Sequence, residues 1–419
     1  MVDKNLFLYD LAVVAIMKGE EPYVKEWLDY HLLAGVDHFY IYDNESTPEF
    51  KNILQPYIDA NIVNYIFYPG KCRQMEAYID AVKRFRFQCR YLAIIDGDEF
   101  IFPKSKSTIP EVVDEILNKN PEAAGLGINW CIFGSNGEEK ADYSRGVLER
   151  FTKRGNVSTT IKTVFNPRRA KLFHTPHAPM YFGRNFTVTE NLEIVPAYDS
   201  KKATAEKIAT YHYSVKSQEE YSIKVNRGNA DHFANHYKVE NFSHDKFNAL
   251  FDDGIVKYRD ARRDALIGKE GGGIELLFAR KQINLQKLFN ALAQNLITTT
   301  VATLPRNFYE GKVENFLTCL NLSGYLRGKL FDDDGAKIFE ELSLNALYKS
   351  LQARVSIADI LLLIDELTKI LEMNYPAVKK IRDACINIIP QIMTTYRLNN
   401  HWQGFAELNS ILKLLKVKT

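Results

Sequence analysis

An α/β domain with a mostly parallel sheet, followed by an all-α domain, is the architecture this 419-residue sequence predicts. Three observations predict it. Apolar runs rich in β-branched and aromatic residues alternate with segments of helical period through the first hundred residues. The helical segments are long enough to serve as crossovers, which implies βαβ units and parallel pairing. From about residue 274 the strand signals stop and five helical periods follow.

The elements read in order. Leu11–Met17 (LAVVAIM) is a buried strand. Pro22 suits a first helical turn. Tyr23, Trp27, Tyr30 and Ala34 then recur at helical spacing, and Gly35 ends the helix. HFYIYD (38–43) is a second buried strand, and 47–60 is helical with a break expected at Pro56. Residues 61–69 form a third strand, 73–89 a third helix and YLAIID (91–96) a fourth strand. A helix at 109–119 precedes the strand GLGINWCIF (125–133). Loops rich in Gly, Asn, Arg and Lys follow, then a polar helical stretch over 217–265. Gly268 and the triplet Gly271-Gly272-Gly273 mark a boundary, giving domains at 1–268 and 274–419. The helical periods of the second domain cover 274–296, 336–352, 356–373, 377–397 and 401–418, with no fixed-period repeat.

Apolar residues make up 46% and charged residues 25%, which excludes a disordered, collagen-like or disulfide-scaffold chain. Fifty-four basic residues against 52 acidic leave a net charge of +2, not the footprint of a nucleic-acid binder. The five cysteines are scattered without a CxxC pair, which argues against a cysteine zinc site and fits a reducing compartment. No window approaches the ~20 apolar residues of a membrane span. The longest candidate, beginning at Ser356, carries Asp359, Asp365 and Glu366. The expectation is a soluble, cytoplasmic protein. Asn44-Glu-Ser and Asn185-Phe-Thr match a glycosylation sequon, but without a secretion signal they carry little weight.

In parallel sheets, ligands bind at the carboxyl ends of the strands. That rule gathers Lys18–Glu20, Asp43–Asn44 and Asp96–Asp98 at one edge. Asp96-Gly97-Asp98 closes a buried strand, and its two carboxylates can face one crevice. Hard oxygen ligands suit Mn²⁺ or Mg²⁺, which neutralise a diphosphate and help it leave. Asp-Gly is also a common turn dipeptide, so a plain turn is the competing reading. Lys18-Gly19-Glu20-Glu21 is a polar loop where a nucleotide would lie, or simply solvated charge. Asp43 could accept hydrogen bonds from a base or ribose, or cap the next helix. Gly70–Gln74 offers backbone N–H groups and basic side chains to phosphate. Neither GxxxxGK[ST] nor GxGxxG is present.

Several segments in combination resemble glycosyltransferase family 92 and its family-2-like relatives. They are Lys18–Glu20 with Tyr23–His31, Tyr40–Ser46, Tyr91–Pro103, Asn129-Trp130 with Phe133-Gly134-Ser135, Lys162–Pro167 and His212–Ser217 with Glu220 and Lys224. The resemblance covers about residues 10–230. The family usually shows Asn where this chain has Gly19. The resemblance implies a GT-A (Rossmann-like) nucleotide-sugar domain. It also implies transfer of a sugar from a nucleotide-diphosphate donor, often a UDP-sugar, to a glycan or lipid-linked acceptor, with Mn²⁺ or Mg²⁺. Carried over residue by residue, it makes Asp96 and Asp98 the DxD pair and His212 a third metal or diphosphate ligand. Lys18, Glu20, Asp43, Asn44, Gln74 and Asp96 would line the nucleotide pocket. Trp130, Ser135, Lys162, His177 and Lys216 would line the acceptor and donor side, with His174 competing for the role of His177.

Glycosyl transfer places growing negative charge on the departing diphosphate, which metal, Lys and His stabilise. An inverting reaction, towards which the resemblance leans, also needs a carboxylate base. The sequence does not identify it; Glu149 is the first candidate and Asp142 the second. In the C-terminal part, Trp402, Phe405, Leu408, Leu412 and Leu415 form a stripe flanked by Lys413, Lys416 and Lys418. Such a stripe packs on neighbouring helices, mediates oligomerisation or rests on the inner face of a membrane. The setting implied is bacterial surface-glycan assembly on the cytoplasmic side. Two rival readings remain. A nucleotidyltransferase would want a Gly/Arg/Lys-rich loop after the first strand, where this chain is acidic. A catalytically inactive nucleotide- or carbohydrate-binding protein would keep the pocket without turnover.

Overall fold

The computed structural model describes residues 9–268 except 87, 121, 182–183, 228–237, 239, 241 and 244–245, then 273–278 and scattered residues from 383 to 413. The chain divides into two compact units, one running from Tyr9 to Leu285 and the other from Gln286 to Thr419.

The first unit opens with strands β1 (Tyr9–Met17), β2 (His38–Asp43), β3 (Val63–Phe67) and β4 (Cys89–Ile94). Between them run helices α1 (Val24–Leu33), α2 (Pro48–Asp59) and α3 (Gln74–Phe85). The four strands pair in parallel in the order β3-β2-β1-β4, with Ala12 opposite His38 and Leu92. β1, β2 and β4 are buried almost throughout, as both-face coverage by helices requires. Gly35 sits at φ +99° beyond α1, where an added Cβ would meet Thr108 Cβ at 2.8 Å, so only glycine closes this helix.

The chain then continues through β5 (Glu99–Pro103), α4 (Ile109–Leu117), β6 (Ala123–Phe133), α5 (Val147–Arg150) and β7 (Lys153–Phe165). β7 inserts antiparallel between β4 and β6 and extends the sheet. After it come β8 (Ala170–Phe173), β9 (Pro179–Tyr181), β10 (Phe186–Val188), β11 (Ile194–Val195) and β12 (Ile208–His212). The unit ends with α6 (Gln218–Arg227), β13 (Leu250–Phe251) and α7 (Gly254–Leu266). β12 pairs antiparallel with β5 and parallel with β6, while β8 and β9 form a separate ribbon. The core lies between the sheet and α1, α2 and α4, around Trp27, Phe39, Phe50, Val113 and Ile116. Trp27 also donates its indole N–H to the Glu99 carbonyl at 2.7 Å, joining α1 to the start of β5.

The α/β architecture with a parallel run is as the sequence predicts, but three expectations need correction. Pro56 does not break α2, because it lies on the exposed face, where the carbonyl it leaves unbonded meets water. The stretch after β6 is not only loop. β7 is a thirteen-residue strand whose first half is polar and half-exposed, so its period is weak. The polar stretch 217–265 is not one helical region but α6 and α7, with β13 between them. In the second unit every described residue is helical. Leu408 is buried there, Phe405 and Leu412 are half-buried and Trp402 is 59% exposed. Leu415, Lys416, Lys418 and the helical periods at 336–352 and 356–373 lie outside the described residues. Among the described residues no helix is long and apolar enough to cross a membrane.

Candidate functional site

Asp96 and Asp98 sit in the tight turn between β4 and β5. The Glu99 amide donates to the Asp96 carbonyl at 3.1 Å, and the Asp96 amide to Glu99 Oε2 at 2.9 Å. The segment is a tight turn that presents two carboxylates. Strand register completes it. His212, the last residue of β12, lies opposite Glu99 of β5, which brings its Nε2 to 3.4 Å from Asp98 Oδ1.

Each carboxylate has its own cation. Lys162, fully buried on β7, donates to Asp96 Oδ2 at 2.8 Å and to the Pro176 carbonyl at 2.9 Å. Gln74 and the Tyr78 hydroxyl donate to Asp96 Oδ1 at 2.8 and 3.1 Å. Lys224 of α6 donates to Asp98 Oδ2 at 2.7 Å. Burial opposes charge on both carboxyls. Lys162 overcomes it at Asp96 and holds that acid below its usual range. Lys224, then His212 and Lys216, hold Asp98 well below. Glu99 behaves oppositely: it is fully buried, and desolvation raises its carboxyl well above the usual range despite Lys162 at 3.6 Å.

A basic face closes over this pair. Lys224 and Arg227 are three residues apart and share one face of α6. Arg227 donates to Glu20 Oε1 at 2.7 Å and to the Lys18 carbonyl. Lys216, buried and at φ +55°, lies over the Tyr23 ring at 4.1 Å, and burial lowers its pKa. The segment is clamped beneath by Glu220, which takes two hydrogen bonds from Arg150, at 3.0 and 2.8 Å, and one from the Tyr23 hydroxyl at 2.8 Å. Against burial, Arg150, Ser217 and Tyr23 hold the Glu220 carboxyl at about 2. Its folded value lies below the unfolded value near ~4.3, so its stabilisation is present above that pH and lost as pH falls towards the folded value. In urea titrations, the stability gap between wild type and Glu220→Gln is expected to be full at about pH 6 and to close between about pH 5 and 2. A gap independent of pH would contradict this assignment.

The remaining predicted residues fall into three groups. Glu20 lines the crevice, with Oε2 buried and without a hydrogen-bond partner in the described structure. Lys18 is largely exposed at the rim, 3.7 Å from Glu45. Trp130 stands against His212 at 4.4 Å and His177 at 5.2 Å between ring centroids. A second group shapes the walls. Asp43 accepts from the Ser46 amide at 2.9 Å and the Tyr65 hydroxyl at 2.6 Å. Asn44 donates to the Tyr68 and Gly70 carbonyls at 2.9 and 2.7 Å. Ser135 is fully buried and accepts from the Gly137 amide at 3.2 Å, while Lys162 lies beneath Asp96 rather than in the crevice. The third group is not brought to the carboxylate pair. Glu149 pairs with Arg259 at 2.8 Å, and Asp142 is spent on Ser144 and Arg145. Arg227, Glu99 and Arg150 escaped the sequence reading. The spacing of Lys224 and Arg227 on one helical face was the available signal for the first.

Among the described residues no three His, Cys, Asp or Glu side chains are grouped to hold a metal ion. Asp98 Oδ1 and His212 Nε2 are nevertheless spaced like two donors around one ion with bonds of ~2.1 Å. His212 Nδ1 is buried without a hydrogen-bond partner in the described structure, so the Trp130 ring and Asp98, rather than a second hydrogen bond, hold that imidazole.

The sequence model of glycosyltransferase family 92 matches residues 14–249, more than half of the chain. A family 92 protein of Ricinus communis is 25% identical over 161 residues, 38% of this chain and 29% of its own. One from Oryza sativa subsp. japonica is also 25% identical over 161 residues, 38% of this chain and 27% of its own. The aligned stretch thus spans under a third of these curated relatives. Among solved structures, S. aureus TarS 1–349 aligns at 16% identity over 79% of this chain and 90% of its own. Its TM-score is 0.28, too low to carry an argument.

Proposed function

Because the chain belongs to glycosyltransferase family 92, we propose that it transfers a sugar from a UDP-sugar to a hydroxyl of a glycan or glycolipid acceptor, using Mn²⁺ or Mg²⁺. The observation that carries this reading is the convergence of Asp96, Asp98 and His212 with Lys216, Lys224 and Arg227 at the carboxyl edge of the parallel strands. Two carboxylates alone would repel a diphosphate. Three cations and an imidazole beside them make the edge hospitable to one.

Asp98 and His212 would hold the metal, the rest of its coordination coming from substrate phosphates and water, as is usual for Mg²⁺. When bound, such an ion supplies a Lewis acid for the diphosphate. Asp96, fixed by Lys162, Gln74 and Tyr78, faces the crevice as an acceptor for a ribose or sugar hydroxyl. Glu20 Oε2 offers a second acceptor. Lys216, Lys224 and Arg227 stabilise the charge that grows on the leaving diphosphate, a term worth several kcal/mol in a preorganised site. Inversion, towards which the family resemblance leans, is part of the proposal; its acceptor base would be a group other than Glu149 and Asp142, which pair with Arg259 and Arg145.

A thermal-shift panel of UDP, GDP, CDP and ADP, with and without Mn²⁺, tests the reading. A ligand that binds only the folded state raises its stability by mass action, by ~2.7 kcal/mol at a hundred times its Kd. The expected result is a Mn²⁺-dependent shift with UDP that exceeds the others. No shift with any nucleotide, in protein shown to be folded, would sink the proposal.

A further inference from the structure

His177 is placed with more care than a wall residue needs. It lies in the loop after β8, and its Nδ1 stands 3.0 Å from the Ile161 carbonyl. A carbonyl only accepts, so Nδ1 carries the proton and Nε2 keeps its lone pair. Nε2 has no hydrogen-bond partner in the described structure. Burial, then the nearby Lys162 ammonium, push the imidazole pKa down to about 4, so the ring is neutral near pH 7. The loop is tied down on both sides. Thr163 Oγ1 donates to the His177 carbonyl at 2.7 Å, and the ammonium that holds Asp96 also holds the Pro176 carbonyl. His177 is therefore in rigid register with Asp96.

The surroundings point to a sugar. A row of rings leads away from Asp98: His212, Trp130 at 4.4 Å, His177 at 5.2 Å, then Tyr198 at 5.7 Å between successive centroids. A hexose on a diphosphate held at Asp98 would lie along this row. Aromatic faces pack against the C–H face of a sugar, and a fixed acceptor reads one hydroxyl at its edge. We infer that His177 is a specificity-determining residue whose Nε2 accepts a hydrogen bond from one ring hydroxyl of the donor hexose while Trp130 packs against the sugar. The inference rests on the nucleotide-sugar reading above. A site that hydrogen-bonds a hydroxyl discriminates against an analogue lacking it, because the acceptor, covered once the sugar is bound, is then unpaired.

The test is calorimetric titration in Mn²⁺ with UDP and with UDP-glucose, UDP-galactose and UDP-N-acetylglucosamine, on wild type and His177→Phe. Phenylalanine keeps a ring beside Trp130 and removes the acceptor. UDP affinity is expected to be unchanged, while the best UDP-hexose binds about tenfold more weakly to the variant. One of the 2-, 3-, 4- and 6-deoxy forms of that donor should lose the same factor on wild type and nothing further on the variant. Equal weakening of UDP and UDP-hexose, or no change in either, would overturn the inference. Failure of wild type to bind UDP would instead remove the reading it rests on. A long-range ¹H–¹⁵N spectrum of the wild-type imidazoles gives an independent answer if the variant misfolds: a His177 proton on Nε2 overturns the inference.

Discussion

Asp98→Asn should lower sugar transfer by about three orders of magnitude, the scale of losing a preorganised electrostatic contact to a transition state. Asparagine keeps the shape of the turn and still accepts from Lys224, so folding survives. What disappears is the negative charge that faces His212 Nε2 and balances Lys224 and Lys216. The two binding terms should then separate. Lys224 and Lys216, no longer balanced by Asp98, together with Arg227 still attract a diphosphate, so UDP should still raise the melting temperature. The increment that Mn²⁺ adds should vanish, because Asp98 is the carboxylate beside the imidazole. UDP release from a donor and acceptor pool measures the first effect, and thermal shift with and without Mn²⁺ measures the second. Transfer within tenfold of wild type would remove Asp98 from the proposed mechanism.

The second large effect concerns stability. Lys162 is fully buried and faces two carboxyls, Asp96 at 2.8 Å and Glu99 at 3.6 Å. Removing one partner of a buried ion pair costs ~3–5 kcal/mol, because the other charge stays behind unpaired. Lys162→Met should therefore lower the melting temperature by about 10 °C, since 1 kcal/mol is worth ~2–4 °C in a unit of this size. Glu99→Gln should cost less. Burial works against the charged form of the Glu99 carboxyl, and an amide copies the neutral form, including the oxygen that accepts the Asp96 amide. The closer and more stabilising pair is then Lys162 with Asp96. Differential scanning calorimetry of both variants decides it; a larger loss for Glu99→Gln than for Lys162→Met would reverse the assignment. If Lys162→Met folds, its loosened Asp96 should also weaken transfer.

Much of the site could be read before folding was considered. A carboxylate pair after a buried strand, in a chain that alternates strand and helix, points to the edge where parallel sheets bind ligands. The strands β1, β2 and β4 are legible as buried strands because each is apolar on both faces. β7 was hidden for the opposite reason. Its first half alternates polar residues on two half-exposed faces, and only β-branched residues such as Val157, Thr160 and Ile161 hint at a strand. Missing β7 also hid the role of Lys162, which looks like a pocket lysine in a motif but lies beneath the pocket. Glu149 and Asp142 stand out in the sequence only as carboxylates; Asp142 is taken by its neighbours Ser144 and Arg145, and Glu149 by Arg259, 110 residues away.

The residue order alone sufficed for the chemistry on offer: which strands are buried, where the chain turns, and that two carboxylates cap a strand beside motifs of a sugar-transferring family. Which charges meet was left to the fold. Asp98 and Lys224 are 126 residues apart, and Asp96 and Lys162 are 66 apart. His212 reaches Asp98 only through the β12–β5 register. Local pattern sets the face a side chain takes, because strand and helix periods act over a few residues. Strand order and register are chosen by burial of the whole sheet, and they alone decide which distant cation neutralises which buried carboxylate.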